Sequence, residues 1–295
     1  MKTKLLTACV AAALLAGCGS DGKDPQQQVQ AFDGAIKGIQ GTYTCTSGDT
    51  TESGVLPKTG FDGFSTVTAS ADSLLISAPA SCVFTFIPTP GAIDVSNGKK
   101  MDEVALSIPR GLAGQGTKIA ATPFTTLVSE ALGDAEYTEA SATTVLQNLG
   151  LGPILNSGVS VNDILTNLDG VISQLQGSAN DETKKLAGTL TATTHILTDV
   201  LVKKGTMDST RIAEVAKGLA DSVTASNPFY PASGADGQGS QIVVDAKEAA
   251  DELAKDPTKQ PSDVADKVTD SPATPVDPDA PATGSGSDNS DNGNG

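Results

Sequence analysis

His195 is the only histidine in the chain, and it stands four residues before Asp199 on the longest stretch of helical periodicity. An imidazole can act as a general base near neutral pH. That work also needs a nucleophile and oxyanion donors within reach, and the spacing identifies neither. The expectation for His195 is a half-buried or surface position on its helix. Ser96-Asn97-Gly98-Lys99, Lys58-Thr59-Gly60 and Ser287-Asp288-Asn289 match the three short elements of one class of serine acyl-transfer site. Their order is wrong, Asn97-Gly98 is a turn signal where the nucleophile should open a helix, and Ser287 sits in a low-complexity segment. The match is read as coincidence. Asp288 to Gly293 has the acidic spacing of the front half of a calcium loop, without the bidentate Glu required later in such a loop. There is no G-x-S-x-G, no Walker A element and no pair of histidines at metal spacing. The expectation is a protein without catalytic residues, metal ligands or cofactor: not an enzyme.

Charge and composition narrow the partners. The chain carries 35 acidic against 19 basic residues, a net charge of −16. Nucleic acid and anionic lipid headgroups both need a basic footprint, so neither is an expected partner. Aromatic residues make up 3% and Trp is absent, which disfavours a carbohydrate platform or a base-stacking surface.

The N-terminus supplies a location. Lys2 and Lys4 form a basic head, and Leu5 to Ala16 form an apolar stretch too short to span a bilayer. Leu15-Ala16-Gly17-Cys18 resembles the lipobox of bacterial lipoproteins. That resemblance implies cleavage before Cys18 and acylation of its thiol and new amine. Acyl chains contribute about 0.8 kcal/mol per buried CH₂, so two or three hold a protein permanently. Gly19 after the lipidated residue implies the outer membrane, and the face is left open. Cys9 then leaves with residues 1–17 and Cys18 is blocked, so Cys45 and Cys82 remain as an even pair in an oxidising compartment. They read as one disulfide contributing roughly 4 kcal/mol in the chain-entropy model. A zinc site built from both thiols and His195 is the weaker alternative.

Periodicity divides the rest. After the signal, residues 18–31 are a polar, Gln-rich tether. Residues 32–121 read as short β runs: Gly41–Cys45, Ser73–Ser77, Cys82–Ile87, Val104–Ile108 and Lys118–Ala120. In Cys82–Ile87 the alternation puts Cys82, Phe84 and Phe86 on one face. A small antiparallel β-sandwich is predicted. At Thr122 the period changes to 3.6: Thr122 is an N-cap, Pro123 takes the first helical position, and Gly133 stops the helix. Further helices are predicted over Thr138–Leu149, from Ser160 through Leu175, from Asn180 to Lys203, and around Ile212–Leu219 until Asn227-Pro228. Residues 122–230 thus read as an α-helical bundle, giving an α+β chain of two modules. Residues 231–255 read as a loop and a weakly held amphipathic helix from Ile242 to Lys255. Residues 256–295 read as a disordered acidic tail.

Asp33-Gly34-Ala35-Ile36-Lys37-Gly38, followed by Tyr43 and Cys45, resembles the opening strand of carboxypeptidase-regulatory-like domains. Thr59-Gly60-Phe61-Asp62-Gly63-Phe64-Ser65 is similar to the second hairpin of that family, with its Asp displaced. Ala121-Thr122-Pro123-Phe124-Thr125-Thr126-Leu127-Val128 is similar to the T-P-L-T-T-L-V box of gammaproteobacterial surface lipoproteins, which joins such a β-domain to a helical region. The resemblance implies a surface module with no catalytic residues. The expected function is a non-enzymatic structural or adhesive role at the cell envelope, with envelope or surface proteins as partners. The alternative is a periplasmic lipoprotein that binds a ligand or assembly partner in an apolar groove.

Overall fold

Alternation of small or apolar residues with polar ones builds the first sheet. In β3 (Gln40–Ser47), Gly41, Tyr43 and Cys45 point inward while Thr42 and Thr44 face solvent. The computed structural model describes residues 24–116 and 118–278. Preceding β3 are β1 (Gln26–Ala31) and β2 (Ile36–Lys37); following it are β4 (Thr50–Leu56) and β5 (Phe64–Thr68). A single helical turn, α1 (Leu74–Ser77), leads to β6 (Cys82–Ile87), β7 (Ile93–Asp94), β8 (Leu106–Ile108) and β9 (Ala120–Ala121). One antiparallel sheet has the order β4-β3-β6-β8, and β2 pairs with β7. In a third sheet β1 lies between β5, antiparallel, and β9, parallel.

Cys45 and Cys82 oppose each other in the β3–β6 register and are joined in a disulfide, so the thiols are unavailable for zinc. Phe84 and Phe86 lie inward beside Cys82, the face the alternation predicted.

Two β-region expectations are corrected. Ser73–Ser77 is not a strand. Leu74-Leu75-Ile76 lacks alternation, and Ser73 caps the helical turn by accepting the Leu75 N–H at 3.2 Å. Glu52 steadies that N-terminus, taking the Ser73 hydroxyl at 2.5 Å and the Leu74 N–H at 2.7 Å. The tether also ends earlier than expected, because Gln26–Ala31 forms β1, whose last three residues are buried.

The helical half begins where predicted. In α2 (Pro123–Leu132), Thr122 accepts the Thr125 N–H at 3.1 Å and Thr125 Oγ1 accepts the Thr122 N–H at 2.8 Å, a reciprocal cap. Then come α3 (Glu139–Asn148) and α4 (Gly152–Asn156), the second of which the sequence did not indicate. The predicted third helix is two, α5 (Val161–Thr166) and α6 (Leu168–Gln176), broken at Asn167. They are followed by α7 (Asp181–Lys203) and α8 (Ser209–Ser226). From Ala187 to Val200 every residue of α7 except Thr189 is buried. Its threonines tolerate this because their hydroxyls return to the chain: Thr191, Thr193, Thr194 and Thr198 donate to carbonyls four residues earlier at 2.7–3.2 Å.

The C-terminal expectations need the largest revision. Ile242–Asp245 is a strand, β10, because its Ile-Val-Val run pairs with β11 (Thr269–Pro272). Only Lys247–Lys255 is helical, as α9, and Ala249, Ala250 and Leu253 anchor it in the core. Residues 256–278, expected to be disordered, include two short 3₁₀ turns and β11; residues 279–295 lie outside the described residues. One apolar core runs through all these parts, from Val29 through Phe84, Phe124 and Ile196 to Val264. The chain is therefore mixed α/β, with nine α-helices and four small sheets among the described residues. No described helix is long and apolar enough to cross a membrane.

The disulfide closes a loop of 37 residues. Replacing Cys45 and Cys82 together with Ala is expected to lower unfolding free energy by about 4 kcal/mol, less any structure kept in the unfolded chain. Urea denaturation of the paired variant, with and without reductant for the parent, measures this.

Candidate functional site

The Asp-Gly turn between β1 and β2 runs into the protein. Asp33 is 2% exposed, and neither of its carboxylate oxygens has a hydrogen-bond partner among the described residues. Its backbone is held by the Phe32 N–H donating to the Ala121 carbonyl at 2.9 Å and by the Phe32–Ala35 bridge. Against this turn lies a second one, residues 94–99, closed by the Asp94 N–H donating to the Lys99 carbonyl and the Gly98 N–H to the Asp94 carbonyl, both at 2.9 Å. The two approach so closely that a Cβ on Gly34 would stand 2.5 Å from an Asp94 carboxylate oxygen and 2.6 Å from the Ser96 hydroxyl. Only glycine fits there. Gly98 has φ of +81°, and a Cβ on it would reach 2.4 Å from the Thr274 carbonyl.

Three buried carboxylates meet here in different states. Asp94 accepts the Ser96 N–H at 2.8 Å, the Ser96 hydroxyl at 2.7 Å and the Asn97 amide at 2.7 Å. Asp199 accepts the Lys99 ammonium at 2.7 Å and the Ala246 N–H at 2.8 Å on one oxygen, and its other oxygen is unbonded among the described residues. Lys99 also donates to the Val244 carbonyl at 2.9 Å. Burial raises the pKa of Asp94 and of Asp199 above the usual carboxylate value, against the opposing pull of these donors. For Asp33 burial pushes the pKa well up, Lys99 opposes, Asp94 and Asp199 push further, and the Thr198 hydroxyl pulls it down. The nearby Thr198 hydroxyl is donated to the Thr194 carbonyl at 3.2 Å.

His195 is buried, not on the surface. Its Nδ1 lies 2.8 Å from the Tyr230 hydroxyl, which accepts the Val244 N–H at 3.3 Å and so is free to donate its own proton to the ring. The Asp33 backbone faces the ring and favours its protonated form, the weakest of the influences on it. Burial, then Lys99, depresses the His195 pKa to about 3, so the ring is neutral. Through Nδ1, His195 holds the Tyr230 hydroxyl in place.

A cavity of about 390 Å³ opens beside these groups. Phe32, Ile172, Ile242, Pro231, Ala273 and Pro275 are the apolar residues that line it, and Asp33, Ser96, Asn97, Gln176, Gln241 and His195 are among the polar ones. A larger, more polar groove of about 590 Å³ shares Gln176, Pro231 and Gln241 with it. One wall is residues 273–276, laid along the second turn by the Thr274 N–H donating to the Asn97 carbonyl at 2.8 Å and the Val276 N–H to the Val95 carbonyl at 2.9 Å.

Of the serine acyl-transfer elements, Ser96 is bonded to Asp94 and Lys99 to Asp199, with no bond between Ser96 and Lys99. Thr59 is buried among strands, donating to the Ile36 carbonyl at 2.5 Å. Ser287, the acidic run from Asp288 and the acylation site Cys18 lie outside the described residues. Sequence reasoning missed Asp33, Asp94, Lys99, Asp199 and Tyr230 as a group. The Asp33-Gly34 and Asn97-Gly98 turn signals were the available clue, and such turns ordinarily face water.

Two stability predictions follow from the titrating groups. The neutral His195 ring contributes stability that is complete above the unfolded value near 6.5 and is lost as pH falls toward about 3. The advantage of the parent over His195→Gln should shrink by about 1.4 kcal/mol per pH unit below 6.5, measured by urea denaturation across pH. Asp33 has the opposite sign: its raised folded pKa costs stability as pH rises above the unfolded value of 3.8. Asp33→Asn is expected to gain stability relative to the parent as pH rises from acid to neutral, measured by urea denaturation across pH.

Comparison with protein families, curated proteins and solved structures finds no match to this chain, so the chemistry of the cavity is what bears on function.

Proposed function

We propose that this protein is a ligand-binding envelope lipoprotein, held at the outer membrane through acylated Cys18, that takes up a small and mostly apolar molecule with one polar end. The observation that carries the binding reading is the 390 Å³ cavity itself, mostly apolar in its walls, with Ser96, Asn97, Gln176 and Gln241 among its lining residues. Protein interiors pack densely and leave few voids larger than a water molecule. The cavity favours binding over the structural or adhesive role. The anchor rests on the Lys2, Lys4 and Leu15–Cys18 pattern alone. On this reading the sheets form a sandwich-like scaffold and the helices a bundle, with the cavity at their junction.

The absence of Trp from the chain makes the test direct. Gln241 is exposed on the cavity rim, so Gln241→Trp places a single indole there without disturbing the core. Titrating the purified full chain with benzyl alcohol, benzylamine and benzoate should give a saturable change in indole emission with at least one of them. Adding Ala273→Phe, which fills the cavity from its covering segment, should weaken that response by about tenfold or more. No saturable response to any of the three compounds would reject the binding reading.

A further inference from the structure

We infer that the ligand of this cavity is uncharged, with an apolar body beside Phe32, Ile172 and Ile242. Its polar end is a group that both donates and accepts hydrogen bonds, a hydroxyl or an amide, held by the carboxamides of Gln176 and Gln241. The inference rests on the binding reading above and narrows it to one chemical class.

Most polar side chains around the cavity are already committed. Both Asp33 oxygens are buried and face Lys99, Asp199 and the Thr198 hydroxyl, none of which lines the cavity. The Ser96 hydroxyl and the Asn97 amide each donate to Asp94 at 2.7 Å, and Asn97 Oδ1 accepts the Lys99 N–H at 2.8 Å. Thr191 and Thr194 donate within their own helix, to the Ala187 carbonyl at 2.9 Å and the Leu190 carbonyl at 2.7 Å. His195 is neutral, with Nδ1 paired to the Tyr230 hydroxyl. The carboxamides of Gln176 and Gln241 remain. Neither makes a side-chain hydrogen bond among the described residues, and both residues are exposed and shared with the adjoining polar groove.

Charge then decides the class. No Lys or Arg lines the cavity, so a carboxylate or phosphate finds no cation in it. In the adjoining groove Lys184 is already paired with Asp181 at 3.1 Å. An ammonium finds no open carboxylate in the cavity, because the Asp33 oxygens are enclosed. Either ion would give up its hydration to apolar surroundings without an ionic partner. A hydroxyl or amide avoids that loss. A carboxamide offers two N–H donors and a carbonyl acceptor without net charge, so the two glutamines can satisfy both halves of such a group.

Because Gln241 is itself assigned a role, the test uses the unaltered full chain, isotope-labelled for NMR, at neutral pH. Benzyl alcohol, benzylamine and benzoate have nearly one shape and differ in charge. Read from amide chemical shifts, benzyl alcohol should bind about tenfold or more tighter than either ion. Combining Gln176→Met with Gln241→Met keeps side-chain length and removes the hydrogen bonds, and should weaken benzyl alcohol about fivefold. Benzylamine or benzoate binding as tightly as benzyl alcohol would overturn the uncharged assignment while leaving the cavity a binding site. Benzyl alcohol binding undiminished in the paired Met variant would overturn the assignment of its hydroxyl to the glutamines. The ranking in the unaltered chain decides the charge of the ligand even if the paired variant folds poorly. No saturable shift with any of the three probes would remove both readings together.

Discussion

The buried ion pair between Lys99 and Asp199 is the contact on which the arrangement of the site depends. The two residues are 100 positions apart, both side chains are almost fully buried, and their atoms meet at 2.7 Å. Lys99 also holds the Val244 carbonyl and Asp199 the Ala246 N–H, so one pair joins the turn after β7, the central helix α7, and the start of the β10–α9 segment. Such a pair gains little net stability over apolar packing of the same volume, because both charges must be desolvated. Removing one partner is another matter, since the remaining charge would stand uncompensated in the core. The pair therefore acts chiefly as a registration device: the three segments have one relative placement in which neither charge is orphaned.

That placement sets the chemistry of the cavity. Lys99 is tied to Asp199 and Asp94 is satisfied by its own turn, while Asp33 lies enclosed among these charges and the Thr198 hydroxyl. Tyr230 and His195 pair with each other, and the Tyr230 hydroxyl also accepts the Val244 N–H. The cavity beside them has mostly apolar walls, with Ser96, Asn97, Gln176 and Gln241 among its lining residues.

The helix behind the site shows how a polar sequence can be a core. Thr191, Thr193, Thr194 and Thr198 would ordinarily mark an exposed face. Each hydroxyl instead bonds to the carbonyl one turn earlier, which allows neighbours to pack on every side of α7. His195 and Asp199 are thereby carried into the interior on a helix whose composition does not announce it. A pattern reading that equates threonine and histidine with solvent places both residues outside.

Local chemistry alone determined much of the fold. The alternation in Cys82–Ile87, the Thr122-Pro123 cap, the Thr138, Ser160 and Asn180 starts, and the Asn227-Pro228 stop all act within a few residues, so they were legible in the sequence. The disulfide was legible too, because Cys45 and Cys82 are the two cysteines left over if Cys9 and Cys18 belong to the proposed lipoprotein signal. Tertiary structure decided the rest. Ser73–Ser77 became helical because Glu52, distant in sequence, caps it. Ile242–Asp245 and Thr269–Pro272 became strands because each supplies the other's hydrogen bonds, a pairing that neither segment can signal by itself. The candidate site is the extreme case. Asp33, Lys99, His195, Asp199 and Tyr230 are ordinary residues in their local contexts. They acquire their chemistry from burial and mutual distance, and both exist only when segments far apart in the chain are packed together.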